Sequence, residues 1–360
     1  MNSYDILSKL EPNLVIQSDL NQIIHADLPW AQLEGKSILV TGGGGFLASY
    51  LVKSLLALNE INHLDLKVIC VVRSLMGIQK RLSTYMHLSS LTIIQHDISE
   101  PLPSDFPLVD LIIHSASQAS PKYYGTDPVG TLKTNSIGTM YLLNHAVKCN
   151  SQKLLFFSSG EVYGELDNPD REISEIDYGY VDPMLVRSCY AESKRFGETM
   201  CVSWYQQYGL HTAIVRPFHT YGPGMALDDG RVFADFVSDV VASRDIVLKS
   251  DGLARRPFCY IADATLGFLT ALLRGGAAQA YNIANPSAEV SMIELANTLS
   301  GLFPERGVKV KFQAPCNNGT YLKSPIRRQC PSVKKISELG WYPETQIIEG
   351  FRRTIHAYIL

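Results

Sequence analysis

The chain has 360 residues, 46% of them hydrophobic and 19% charged, with a formal net charge of −3. That composition supplies a sizeable core, and the near-neutral charge excludes a global basic field of the kind that gathers nucleic acid or anionic membrane. Seven cysteines, at 70, 149, 189, 201, 259, 316 and 330, show neither CxxC nor Cys/His ligand spacing, which argues for a reducing compartment and against a structural metal.

No apolar run reaches the ~20 residues of a membrane span. Met1 to Leu10 also lack a basic stretch followed by an uninterrupted apolar one, so a cytoplasmic protein is expected, with no membrane or nucleic-acid partner. Residues 1–35 precede the first strand as a partly amphipathic extension that Asp27-Leu-Pro-Trp30 interrupts, and helices packed on the main body or a partner subunit are expected there.

From Lys36 strands and helices alternate, the pattern of an α/β protein with a Rossmann-type doubly wound parallel sheet. Strands are predicted near 37–41, 67–72, 91–96, 109–114, 153–158, 211–215 and 280–283, with helices near 46–59, 129–148 and 189–208. The expected division is a dinucleotide-binding domain over 36–215 and a smaller substrate-binding lobe over 216–360, with about 258–285 returning to the first.

The first strand, Ser37-Ile-Leu-Val-Thr41, runs straight into four glycines and then a helical pattern. The spacing Gly42-x-x-Gly45-x-x-Ala48 serves three needs: a tight turn, close approach of a diphosphate to the backbone, and a small residue where helix packs on strand. Backbone N–H groups at such a helix start receive a dinucleotide diphosphate. The second strand ends at Arg73 with no carboxylate. An acidic residue at this point normally holds the adenosine ribose. Arg73 fits either a 2′-phosphate, hence NADP, or the face of the adenine ring with NAD bound.

Downstream, Ser158-Ser159 closes another apolar run, and Tyr190-Ala-Glu-Ser-Lys194 puts a tyrosine and a lysine at i and i+4 on one helix face. A neighbouring ammonium favours phenolate, so Lys194 is expected to lower the Tyr190 pKa and fit it to take a proton from a substrate hydroxyl, with Ser159 bonded to the same oxygen.

These segments, with His96-Asp97-Ile98, His114-Ser-Ala-Ser117, Asn135-Ser-Ile-Gly-Thr139, Arg216-Pro-Phe-His-Thr-Tyr-Gly-Pro223 and Arg256-Pro-Phe-Cys-Tyr-Ile-Ala-Asp263, make the chain resemble the extended short-chain dehydrogenase/reductases that modify nucleotide sugars. Within them, Ala119 to Asn135, Arg187-Ser-Cys-Tyr190, Leu227-Asp-Asp-Gly-Arg231 and Leu339-Gly-Trp-Tyr-Pro343 resemble the UDP-glucuronate decarboxylases.

The resemblance implies a reaction through a 4-keto sugar. Tyr190 would take the C4 hydroxyl proton while hydride moves to the nicotinamide, Lys194 would hold the nicotinamide ribose, and Asn135 would support the lysine's hydrogen bonds. It also implies cofactor contacts from Gly42, Gly45, Phe46, Leu47, Asp97, Ile98, Ser115, Ala116 and Phe218. Substrate contacts are implied for Tyr124, His219, Arg231 and Arg256, the two arginines on the diphosphate. Glu161 stands where decarboxylases carry the Glu of Thr-Ser-Glu, whereas 4,6-dehydratases carry an Asp-Glu pair. His219 in place of the usual Asn, and Gly224 in place of the Arg of Gly-Pro-Arg-Met, depart from the decarboxylase pattern. A 4-epimerase, a 4-keto reductase or a catalytically silent dinucleotide binder are the alternatives. A homodimer formed by helices 129–148 and 189–208 is implied as well.

Overall fold

The computed structural model describes residues 3–168, 170–313 and 327–359. Seven apolar runs form one parallel sheet: β1 (Ser37–Thr41), β2 (Lys67–Val72), β3 (Leu91–Gln95), β4 (Leu111–His114), β5 (Lys153–Phe157), β6 (Thr212–Pro217) and, three short strands later, β10 (Gln279–Ile283). The central strands β1, β2, β4 and β5 are almost continuously apolar rather than alternating because helices cover both faces. The order β10-β6-β5-β4-β1-β2-β3 reverses between β1 and β4. Open parallel sheets bind ligands beyond the strand carboxyl ends where the order reverses. Here that point is the in-register pair Thr41 and His114.

Among the short strands, β7 (His219–Tyr221), β9 (Arg255–Tyr260) and β11 (Glu289–Ser291) make a three-stranded sheet, while β8 (Ile246–Leu248) pairs with β12 (Val310–Phe312). Residues 258–285 are therefore divided: β9 lies in the small sheet, and β10 lies on the edge of the large one beside β6.

At the N-terminus, α1 (Ser3–Leu10) and α2 (Leu14–Ile24) pack on α3 (Phe46–Asn62), and α10 (Ile261–Arg274) joins them on the same side of the sheet. Asp19 of α2 is fully buried and accepts hydrogen bonds from Tyr50, Tyr260 and Arg353. Burial pushes its carboxyl up to about 6 despite the arginine. Beside it Lys53 donates to Glu11 at 2.5 Å. The N-terminal helices are thus fixed to the main body by buried polar bonds.

The opposite side carries α7 (Thr139–Cys149) and α8 (Ser188–Tyr208). The helix predicted over 129–148 is broken into α6 (Pro128–Lys133), a π-helical turn over Thr134–Gly138, and α7. Such turns recur at functional sites. The remaining helices are α4 (Met76–Arg81), α5 (Pro121–Thr126), α9 (Val232–Val241), α11 (Met292–Leu302), α12 (Lys334–Ser337) and α13 (Ile347–Ile359). No described helix is long and apolar enough to cross a membrane.

Candidate active site

The cofactor side of the crevice begins with the β1–α3 turn. Gly42 holds φ +72°, and a Cβ there would lie 2.8 Å from the Ala116 Cα, so only glycine lets this loop close on the β4 turn. Gly45 donates its amide to the Gly42 carbonyl at 2.7 Å and caps α3, leaving the first-turn amides of Phe46 and Leu47 without an intrahelical acceptor. Ser115 Oγ donates to the Thr41 carbonyl at 2.6 Å, and the Ala116 amide donates to Thr41 Oγ1 at 3.2 Å. This backbone cradle suits a dinucleotide diphosphate.

At the adenosine end, Asp97 Oδ1 accepts from the Ser99 amide and hydroxyl. Partial burial raises the Asp97 pKa, but those bonds and the Arg73 charge outweigh it, so the carboxyl titrates below its ordinary value. Ile98 is buried and packs against Gly138 of the π-helical turn. Arg73 is exposed at the end of β2, and its charge also reaches Asp127.

The candidate reacting centre lies beyond β5. Ser159 caps a short 3₁₀ turn, accepting from the Glu161 amide at 3.2 Å, and its side chain hydrogen-bonds to the Tyr190 hydroxyl. Tyr190 stacks on Tyr124 with ring centroids 4.9 Å apart, and Tyr124 is anchored by donating to the Ala119 carbonyl at 3.0 Å.

The spacing of Tyr190 and Lys194 is as expected, but its electrostatic consequence is not. Burial pushes the phenol up to about 12, against the lowering effects of the Ser159 bond and the Arg231 charge. Burial likewise pushes Lys194 down to about 7, although Glu198 raises it. The Lys194 ammonium donates to the Phe157 carbonyl at 2.6 Å and lies 5.8 Å from the Tyr190 ring centroid. Desolvation dominates both groups, so the phenol stays above its ordinary value with the lysine beside it.

Asn135 sits in the π-helical turn and donates to Ser193 Oγ at 3.0 Å, one residue before Lys194. Its Oδ1 is buried with no partner among the described residues. Ser117 Oγ is buried and unpartnered in the same way. Orphaned acceptors on the crevice wall are the mark of a surface that a polar ligand completes.

On the substrate side, Arg231 donates to the Ala119 carbonyl at 3.4 Å and pairs with Asp229 at 3.6 Å. Its charge acts on Tyr190, Tyr124 and His219 together. Arg256 donates to the carbonyls of Arg255 and Arg327. His219 sits edge-on to Phe233 and Phe258, with Nδ1 buried and unpartnered among the described residues. Burial first, and then Arg256 and Arg231, push its pKa well below the ordinary value, so the imidazole is neutral. Phe218 packs on Gly160, where a Cβ would meet its ring at 2.8 Å, and so shapes the floor next to Ser159.

Two further residues were not singled out from sequence. Arg187, three residues before Tyr190, donates Nη1 to Glu161 Oε2 at 3.2 Å. Gln329 donates to the Gly160 carbonyl at 3.3 Å across 169 positions of sequence, and no local pattern announces it. Among the described residues no cluster of His, Cys, Asp or Glu has the geometry of a metal site.

With this geometry established, comparison with known proteins identifies the relatives. The model of the NAD dependent epimerase/dehydratase family matches residues 38–284. The chain belongs to that family. It is therefore an enzyme of the dinucleotide-dependent, nucleotide-sugar type. UDP-glucuronic acid decarboxylase 6 of Arabidopsis thaliana is 37% identical over 316 residues, covering 87% of this chain and 86% of that protein. UDP-glucuronic acid decarboxylase 1 of Xenopus tropicalis is 33% identical, covering 91% and 73%. Among solved structures, a dTDP-glucose 4,6-dehydratase from Streptomyces venezuelae with NAD bound superposes with a TM-score of 0.76 at 26% identity, covering 89% of this chain and 96% of that one. A UDP-glucose 4-epimerase from Thermotoga maritima shares the fold, with a TM-score of 0.73 at 23% identity, covering 89% and 98%.

Proposed function

We propose that this enzyme decarboxylates a UDP-linked hexuronic acid, with UDP-glucuronate as substrate. The observation that carries the reading is Glu161 beside the Ser159–Tyr190 pair, with Gly160 where a dehydratase carries its acid. The relatives named as UDP-glucuronic acid decarboxylases support it. A dinucleotide held by the Gly42–Leu47 turn would supply the hydride acceptor for sugar C4 and the donor that restores that hydrogen.

In this reading Tyr190, held by Ser159, receives the C4 hydroxyl proton. The resulting 4-ketone lies β to the C6 carboxylate. The C5–C6 bond then breaks, CO₂ departs, and its electron pair becomes the 4-enolate, which takes a proton at C5. Arg231 and Arg256 hold the diphosphate, and neutral His219 faces the sugar. The cofactor is NAD, because the Arg73 charge already acts on Asp97 and Asp127, and a 2′-phosphate brought there would be repelled by two carboxylates.

The enzyme acts as a homodimer in the cytoplasm. Leu132, Met140, Val147, Phe196, Val202 and Tyr205 leave apolar surface on α6, α7 and α8, which suits burial against a second copy. The described cysteines are all free. Light scattering on the purified protein tests the dimer. The reaction itself is tested by incubating the protein with UDP-glucuronate and a panel of nucleotide hexoses and reading product mass. Loss of one CO₂ supports the assignment, whereas inversion at C4 with unchanged mass, or stoichiometric NADPH oxidation, replaces it with an epimerase or a reductase.

A further inference from the structure

The Glu161–Arg187 pair is only half used by the protein. Arg187 is the residue that leads into α8, one helical turn before Tyr190, and its Nη1 bond to Glu161 occupies one corner of the guanidinium. Its Nε is buried and has no partner among the described residues. The guanidinium carries five N–H donors in a fixed fork. A buried donor left unpaired loses its hydration with no return, so native structures keep such groups where another molecule completes them. The Arg187 charge also acts on Tyr124, which stacks on Tyr190, and Glu161, which accepts from Arg187, stands two residues after Ser159.

We propose that Arg187 forms the subsite for the substrate's C6 carboxylate, with its Nε side as donor and Glu161 fixing the fork from the other side. The inference rests on the decarboxylase reading and names how that site tells an acidic sugar from a neutral one. A planar fork offers parallel N–H groups to a carboxylate, whereas a C6 hydroxymethyl accepts one bond and brings no charge. One guanidinium between two carboxylates also leaves a net negative charge. The substrate carboxylate is thereby oriented without being fully neutralised, and its charge is not trapped in the ground state when CO₂ must leave.

The test uses the enzyme loaded with NADH, which cannot accept hydride from C4, and calorimetric binding of UDP-glucuronate, UDP-glucose and UDP-xylose, the last lacking C6 altogether. Arg187→Gln is expected to raise the Kd for UDP-glucuronate by about tenfold to a hundredfold, the scale of a lost hydrogen bond to a charged group, and to change the Kd for UDP-xylose less than about threefold. Arg187→Lys keeps the charge without the fork and is expected to recover part of the loss. Matching circular dichroism and melting curves establish that both variants fold. Equal losses for UDP-glucuronate and UDP-xylose, or no loss for either, overturn the subsite while wild-type CO₂ release leaves the decarboxylase reading standing. A wild-type enzyme that binds UDP-glucuronate no more tightly than UDP-glucose and releases no CO₂ overturns both.

Discussion

The two walls of the crevice are built in opposite ways. On the cofactor wall a single short segment, Thr41 to Leu47, together with the Ser115–Ala116 turn, makes a cradle of backbone groups whose shape is enforced by the missing Cβ at Gly42. On the substrate wall the groups are side chains drawn from Tyr124, Glu161, Arg187, His219, Arg231, Arg256 and Gln329, and two of them, Arg187 and His219, keep a buried polar atom without a partner among the described residues. A backbone cradle recognises the diphosphate common to all dinucleotides and tolerates little change. A wall of side chains sets which sugar is held and what becomes of it, and it is where relatives of one fold diverge.

The contrast is broken most forcefully at the point where both walls meet. Tyr190→Phe removes only the phenolic acceptor and is expected to lower kcat by ~10²–10⁴-fold with dinucleotide binding unchanged. Glu161→Gln, wholly on the substrate wall, should lower kcat for CO₂ release more than it raises KM, because the group acts on the sugar during chemistry rather than on the diphosphate. Steady-state kinetics and dinucleotide titration check both. Wild-type turnover in Tyr190→Phe would remove it from the reaction.

A change confined to the cofactor wall should behave differently. Gly42→Ala forces an L side chain into φ +72° against Ala116. The left-handed backbone alone costs roughly 1–2 kcal/mol. Urea unfolding should show at least that loss, and dinucleotide affinity should fall while nucleotide-sugar binding to the remaining folded protein persists.

Lys194 gives the comparison a pH dependence. In the folded protein without ligand its pKa is pushed down to about 7, against an unfolded value of 10.5. Between those values the unfolded chain binds the extra proton, so this group makes stability rise with pH across that window and adds no slope below it. Lys194→Met should flatten the rise, measured as unfolding free energy from pH 7 to 10. An unchanged slope would show that the ammonium is not held in a desolvated site. Absorbance at 295 nm, wild type minus Tyr190→Phe, should place the Tyr190 titration near 12 in the same protein. The smallest effect is expected at Arg73, exposed on the rim: Arg73→Ala should change NAD affinity by less than ~1 kcal/mol. A large selective loss of NADP binding would instead identify a 2′-phosphate site.

Much of the cofactor wall was legible in the sequence because its signals are local. Strand, glycine turn and helix start follow one another between Ser37 and Ala48, and the Tyr190–Lys194 spacing needs nothing beyond helix period. The seven apolar runs were readable as strands for the same reason. The break at Thr134–Gly138 was not, since an extra residue in a helical turn leaves the apolar pattern nearly intact. Nor could spacing report burial, which pushes the Tyr190 phenol up and the Lys194 ammonium down. Gln329 and the free side of Arg187 became visible only when the chain brought distant segments together.

In the proposed reaction the two walls cooperate in a redox cycle that closes on itself, with CO₂ as the only net loss from the sugar. The direct measurement follows CO₂ release and absorbance at 340 nm together, with UDP-glucuronate in large excess over enzyme and NAD. The account predicts many equivalents of CO₂ per NAD, a UDP-pentose product and no sustained accumulation of NADH. Continuous NADH formation in step with substrate loss, or consumption of the substrate without CO₂, would contradict it.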